Sequence, residues 1–391
     1  MQTRRVPVER TPPSDFRPRF CPSPECEDHR LGHSERYRYV RNGFYRRKCD
    51  RRRIQRFLCK RCKVGFSQQT FSVTYCMKRP DLLLPVARWI ASGAPLRRIA
   101  RSLDDSRSGL PCHPSTVARI SRRVGSQCLL VHEQSLQGLS AINEPIVSDH
   151  FETFAGMQEN ALAVATPVGA RSWFVYALEP AWHRQATAAA RRRPRVAPSP
   201  GSIARSVTRM LDRLLDKVPN GHDLTLISDQ DASHARAIAR HRLRRRIRHR
   251  AYRNPPNRRV DEPRDAATIA RDLAMFPVDL LHTLSRTWLS DHQRETIAFA
   301  KRGEAVLERL SVLAVVRNLI QRSSERRDDR VTPAMRLGLT DRPWDWVDVL
   351  AERRFPTRTR LSRSAARVFS RTMRDPRRGI RWPAHVRLRA L

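Results

Sequence analysis

The chain has 391 residues, with 77 lysines and arginines against 38 aspartates and glutamates, a net charge of +39. That length sets a prior of two or three domains, and a 40% hydrophobic content supplies cores for them. No apolar stretch approaches the ~18 residues that would cross a membrane. The excess of base, nearly all of it arginine, points instead to a polyanionic partner, nucleic acid, with counterion release driving much of the affinity.

The first residues, Met1-Gln2-Thr3-Arg4-Arg5-Val6-Pro7, carry no apolar run of the kind a secretory signal needs, so the expected location is the cytoplasm, in association with the nucleoid. Eight cysteines in a reducing compartment are then read as metal ligands or buried thiols. Cys21-Pro22-Ser23-Pro24-Glu25-Cys26 and Cys59-Lys60-Arg61-Cys62 form two close pairs. Zinc takes four soft ligands in a tetrahedron, and two such pairs around a strand-rich insert provide them. His29, Cys49 and Cys76 are alternatives for one ligand. The insert holds Tyr37, Tyr39, Val40, Phe44, Tyr45, Ile54, Phe57 and Leu58, with Asn42-Gly43 as its expected turn. Arg51, Arg52 and Arg53 within it are expected to face DNA. Residues 1–78 are thus read as a zinc-ribbon-like module.

Asp81 to Ile90 has helical spacing, with Ser92-Gly93 as its stop, and Pro95 opens a second helix through Leu96, Ile99, Ala100 and Leu103. After a polar loop, Pro114-Ser115-Thr116 starts a third helix. Val117, Ile120 and Val124 form its apolar face, and Arg119, Arg122 and Arg123 its basic one. Residues 79–135 are read as a helix-turn-helix-like domain presenting that basic face to DNA.

From residue 140 the pattern changes. Ile146-Val147, Ala161 to Thr166 and Ser172 to Leu178 are expected as three short strands. An amphipathic helix follows through Ile203, Val207, Met210, Leu211, Leu214 and Leu215, then a strand from Leu224 to Ser228. Two apolar runs end in Ser-Asp, at Ser148-Asp149 and Ser228-Asp229. An acid that closes a buried strand stands at the sheet end, within reach of a metal ion. Asp231 is an alternative to Asp229. The basic run His241 to Arg253, with Arg244, Arg245 and Arg246, is expected to be helical and to line DNA. Asp265 to Leu284 is expected as a helix, and a long helix is expected from about Ser290 to Arg322, with Gly303 as a kink.

Two-metal phosphoryl transfer needs several converging carboxylates. Asp149 and Asp229 supply two. Glu295 is the preferred third, with Lys301 and Arg302 beyond it to meet phosphate; Glu304 and Glu308 are the rivals.

In Cys21…Cys26 with Cys59…Cys62, in Ser148-Asp149-His150-Phe151-Glu152-Thr153-Phe154 and in Ile227-Ser228-Asp229, the chain resembles bacterial insertion-sequence transposases of the DDE class. Arg317-Asn318-Leu319 and Thr332-Pro333-Ala334-Met335-Arg336-Leu337-Gly338-Leu339 look like that family's C-terminal signature. The resemblance implies an α/β, ribonuclease-H-like mixed sheet with flanking helices over residues 140–325, and a basic tail over 326–391. It implies Mg2+ or Mn2+ on Asp149, Asp229 and Glu295, and Zn2+ on Cys21, Cys26, Cys59 and Cys62. Its implied activity is cleavage of element ends and transesterification into target DNA, by at least a dimer. Competing readings are a non-catalytic DNA-binding derivative and a structure-selective nuclease.

Overall fold

The computed structural model describes residues 16–32, 35–104, 112–183, 201–255, 263–293, 298–324 and 330–373. The chain divides into two compact units. The first comprises Met1–Ser140, Trp288–Ser290 and Glu308–Phe369; the second comprises Ala141–Thr287, Asp291–Leu307 and Ser370–Leu391.

In the first unit, strands β1 (Tyr39–Arg46), β2 (Arg53–Cys59) and β3 (Gly65–Ser67) form an antiparallel sheet in that order. Asn42-Gly43 is not the turn. The register slips between Arg41, opposite Phe57, and Phe44, opposite Gln55, and Gly43 takes φ +66°. The dipeptide is a bulge, which only a residue tolerant of left-handed backbone completes cheaply. The chain reverses later, over Arg47 to Arg52, where the Arg47 N–H donates to Arg52 O at 2.8 Å and Arg51 sits at φ +60°. Tyr37, Phe57 and Phe66 pack with the cysteines into a small core, joined at its edge by Phe16, Leu31, Tyr39 and Phe71.

Helices α1 (Leu83–Ala91), α2 (Leu96–Asp104) and α3 (Pro114–Gly138) follow. The stop at Ser92-Gly93 is as expected, with Gly93 at φ +81°; a Cβ there would lie 2.3 Å from the Trp288 carbonyl oxygen. Helix α3 has proline in its first turn, and the His113 side chain accepts from the Ser115 N–H. It buries Val117, Ile120 and Val124 and then runs on, mostly buried, to Gly138. Described residues of the expected basic tail also carry structure: α8 (Pro333–Arg336), α9 (Trp346–Leu350) and α10 (Arg363–Phe369) belong to this unit. The Gln127 side chain on α3 donates to the carbonyls of Val349 (3.0 Å) and Glu352 (2.7 Å).

The second unit is a mixed α/β layer structure. Its five-stranded sheet has the order β6-β5-β4-β7-β8, with β4 Ile146–Ala155, β5 Met157–Gly169, β6 Glu179–Trp182, β7 Leu224–Asp229 and β8 Ile247–Tyr252. β4 pairs antiparallel with β5, and β5 with β6; β4–β7 and β7–β8 are parallel. Flanking helices are α4 (Ser202–Leu215), α5 (Ala232–Arg240) and α6 (Ala266–Trp288); α7 (Gly303–Val315) starts in this unit and belongs to the first from Glu308 on. As its periodicity predicts, α4 buries Val207, Met210, Leu211, Leu214 and Leu215. It covers the sheet face bearing Ser148 and His150, where Ser148 Oγ lies 3.1 Å from Met210 Sδ. On the opposite face, the rings of Phe151 and His282 of α6 lie 5.4 Å apart.

Three expectations need correction here. Ser172 to Leu178 makes only an isolated bridge, Val175 to Val168, and the third strand is Glu179–Trp182. The basic run around Arg244 to Arg253 is a short 3-10 turn and then edge strand β8, not a helix; Arg248 and Arg250 point outward, and charge on an edge discourages pairing with another sheet. The long helix does not begin near Ser290. Helix α7 starts at Gly303, where a Cβ would meet the Trp182 ring at 2.7 Å, so this glycine permits a close approach and is no kink.

Candidate metal centres and basic surfaces

Two hairpin-like knuckles bring the four cysteines together. The Cys26 N–H donates to Ser23 O, and the Lys63 N–H, with Lys63 at φ +58°, donates to Cys59 O. Cys21 Sγ and Cys62 Sγ stand 3.6 Å apart, Cys26 Sγ and Cys59 Sγ 3.9 Å, and all four sulfurs lie within 4.8 Å of one another. A ZnS4 tetrahedron with ~2.3 Å bonds has edges of about 3.8 Å. The cluster therefore fits a metal such as zinc without rearrangement. Burial opposes ionisation of Cys59, but the Tyr37 hydroxyl and the N–H groups of Cys62 and Arg61 outweigh it and bring this thiol down to about 7. The alternatives stand aside. His29 engages Cys21 O and Thr357 Oγ1 at 2.7 Å each, and Cys49 and Cys76 are exposed.

Asp149 does not close its strand. It is the fourth residue of β4, opposite Thr166 of β5. Asp229 does close β7. The parallel pairing of β4 and β7 consists of Ile146 with Leu226 and Val147 with Ile227. Carried two residues further, the same offset sets Asp149 level with Asp229. The Asp149 carboxyl is pushed up to about 7, first by burial, then by the charges of Asp229 and Asp279, against the opposing pull of the His150 N–H and Arg271.

Asp279 was not singled out in the sequence. It lies on α6 three residues before His282, so both side chains share one helix face. His282 Nδ1 is 3.7 Å from Asp149 Oδ2. The Thr166 hydroxyl donates to the Asp149 carbonyl at 3.1 Å, which leaves its oxygen to accept from His282 Nε2 at 2.7 Å. That bond fixes the tautomer: Nδ1 carries a lone pair and faces the carboxylate. Burial lowers His282 to about 3, so it stays neutral. A lone pair turned toward a carboxylate, with two more acids acting on the same group, is a donor set that calls for a proton or a cation. Oxygen donors with one imidazole suit Mg2+ or Mn2+. A side-chain chain braces these acids: Asn254 Nδ2 donates to Asp229 Oδ2 (3.2 Å), Arg271 Nε to Asn254 Oδ1 (3.1 Å), and Arg271 NH1 to Asp279 Oδ2. Among the described residues, the cysteines alone form a group of three or more such ligands within 4.8 Å of one another, so the acids are held apart.

Asp231 is a helix cap, its Oδ1 accepting the Ser233 N–H at 2.7 Å at the start of α5. Burial would raise its carboxyl, but the Ser233 hydroxyl and N–H hold it below the usual range. Behind the site, His150, His234 and His249 form a row of rings, with centroids 5.2 and 6.5 Å apart.

Glu295 lies outside the described residues. Glu304 is buried in the first turn of α7. Glu308 belongs to the first unit, where it accepts from Ser126 Oγ at 3.3 Å and packs on Gly125.

The expected DNA-facing residues divide into exposed and partly buried groups. Arg51, Arg53, Arg119, Arg122, Arg244, Arg245, Lys301 and Arg302 are exposed. Arg53 stacks over Phe44 at 3.8 Å. Arg52 donates to Asp50, Arg123 to the Val73 carbonyl, and Arg246 to the carbonyls of Val218, Pro219 and His222.

Comparison with known protein families and with curated proteins finds no match to this chain. Among the described residues, no helix is long and apolar enough to cross a membrane.

Proposed function

We propose that the chain is a DNA strand-transferase of the DDE transposase type, built on a ribonuclease-H-like core with a zinc-ribbon module ahead of it. The carrying observation is the register of the two parallel strands that sets Asp149 level with Asp229, with Asp279 acting on Asp149 from α6. Support for the fold reading comes from strand order and direction. Three consecutive antiparallel strands, a helix, and a parallel strand returning beside the first form the arrangement expected of that core. The net charge of +39 supports a nucleic acid substrate.

In this reading Asp149, Asp229 and Asp279 hold Mg2+ or Mn2+, Asp279 replaces Glu295 as the preferred third acid, and His282 completes the set. Bound there, the metal would activate the attacking oxygen and stabilise charge on the leaving one. The residues of the chain do the rest. Thr166 and the His150 N–H orient Asp149, Asn254 and Arg271 space the other two acids, and Lys301 and Arg302 offer charge to phosphate. The four cysteines stabilise the N-terminal module by binding zinc.

The test incubates purified protein, with Mg2+, on DNA fragments spanning the two flanks of its own gene, scoring nicks and joined products. Expected are both products from the wild type and neither from Asp149→Asn or Asp229→Asn, with DNA binding retained. Nicks without joining would mark a nuclease. Normal cleavage by either variant would refute the site.

A further inference from the structure

The first unit contains a cleft of about 420 Å³ that the strand-cleavage reading does not use. One wall is the amino-terminal half of α3, with Arg119, Arg122 and Arg123; the other carries Arg353 and Arg354, and Tyr75 joins the lining. Among the described residues, no acidic side chain lines it. Two of these arginines are clamped from behind. Arg123 donates to the Val73 carbonyl at 2.8 Å, and Arg353 donates to Thr70 O at 3.3 Å and sits over the Tyr75 ring at 5.0 Å. Arg354 Nε is buried without a hydrogen-bond partner. Burial lowers Arg123, Arg353 and Arg354 alike, and the Arg353 charge works further against Arg123.

Guanidinium groups do not escape such a setting by losing a proton. Five of them around a concave wall concentrate positive potential, and an anion with several oxygens would relieve their repulsion and satisfy the idle donor. Size and lining narrow the choice. The volume is that of a small-ligand site, too small for a duplex. A ring beside phosphate-binding arginines is how single strands are held, base on aromatic and backbone on guanidinium.

We propose that this cleft holds a phosphate-bearing nucleotide of a single DNA strand. The inference rests on the DNA-binding half of the reading above and is independent of strand cleavage. It also recasts α3: its arginines clasp one unpaired nucleotide instead of reading a duplex groove.

The test titrates the full-length protein, without added Mg2+, against labelled single-stranded oligothymidylate, with inorganic pyrophosphate as a separate ligand. Arg122→Ala should weaken strand binding about tenfold, and Tyr75→Leu by a similar factor. Arg88→Ala, on exposed α1 surface outside the cleft, should leave it unchanged. Arg122 is exposed, so its removal leaves packing intact; Arg354→Lys, which keeps charge but loses the fork, should also bind less tightly. No Mg2+ is present and no cleavage is scored, so a failure of the carboxylate site is read separately. Equal strand affinity in Arg122→Ala and wild type would overturn the proposal. A loss confined to pyrophosphate, with strand affinity unchanged, would overturn it in favour of a small-anion site.

Discussion

Asp229 and Arg271 are joined through a single side-chain amide, that of Asn254, whose nitrogen donates to the acid and whose oxygen accepts from the guanidinium. The neutral spacer keeps the cation from neutralising Asp229 directly. The same guanidinium grips Asp279, so one residue sets the position of two acids on different elements. Asn254→Ala should weaken Mn2+ binding about 10–100-fold, the usual cost of losing a partner that orients a ligand. Isothermal titration calorimetry reads it directly, and unchanged affinity would remove Asn254 from the site.

Asp279 and Glu304 make opposite predictions. Asp279→Asn should lower Mg2+-dependent cleavage about a hundredfold or more with little change in melting temperature. Glu304→Gln alters a buried carboxyl group in the first turn of α7 and should change stability while leaving metal affinity in place. A cleavage defect in Glu304→Gln with Asp279→Asn active would reverse the assignment.

The carboxyl of Asp149 rises from 3.8 to about 7 on folding, so the native state holds this proton more tightly than the unfolded chain. Its contribution to stability is full below 3.8 and is lost as pH rises through about 7. Three imidazoles act oppositely. His150 and His282 fall to about 3 and His234 to about 4, chiefly through burial, so they cost stability as pH drops below 6.5. Asp149→Asn isolates the acid. The wild-type melting temperature minus that of the variant should fall by several degrees between pH 4 and 7, then level off. Mn2+ at higher pH should raise the wild type and not the variant. A flat difference across the window would contradict the burial of Asp149.

The cysteine cluster predicts about one zinc per chain by elemental analysis. Cys59→Ser should release it and unfold the small module around Phe57 and Phe66, seen as lost amide-exchange protection over β1–β3. The second unit has its own core and should stay protected. Full zinc retention in Cys59→Ser would show that the cluster is not the ligand set.

The cysteine cluster was legible because it depends on local spacing. Paired cysteines need only a knuckle, and Asp229 ends an apolar run. Asp149 ends its apolar run but not its strand. Its strand continues through His150 and Glu152, because β5 still pairs on one side after β7 has left, and polar residues are tolerated where one neighbour is missing. The basic strand β8 was read as a helix for the same reason: an edge strand can alternate arginines outward without an apolar stripe. Asn42-Gly43 is a turn signal by composition, and only the pairing of β1 with β2 makes it a bulge. Asp279 offered no local cue. It becomes visible only when the turns of α6 are laid over β4, where the electrostatics of Asp149 reveal it. The Gly303 start of α7 was hidden because what demands the glycine is Trp182, more than a hundred residues away.

β4 and β7 touch through two residue pairs and then part, which makes a wedge whose apex is Val147 with Ile227 and whose arms carry Asp149 and Asp229. In a wedge, the gap between the arms follows from the opening angle, not from the side chains mounted on them. That angle is governed at the apex, where Ser148 and Ser228 are wholly buried and Ser148 lies against Met210. If the proposed site holds a cation, its ion-size preference would depend on how the sheet face bearing Ser148 packs. A bulkier residue at Ser148 should then shift the relative affinity for Mg2+ and the larger Mn2+, which titration of each ion against the variant would read.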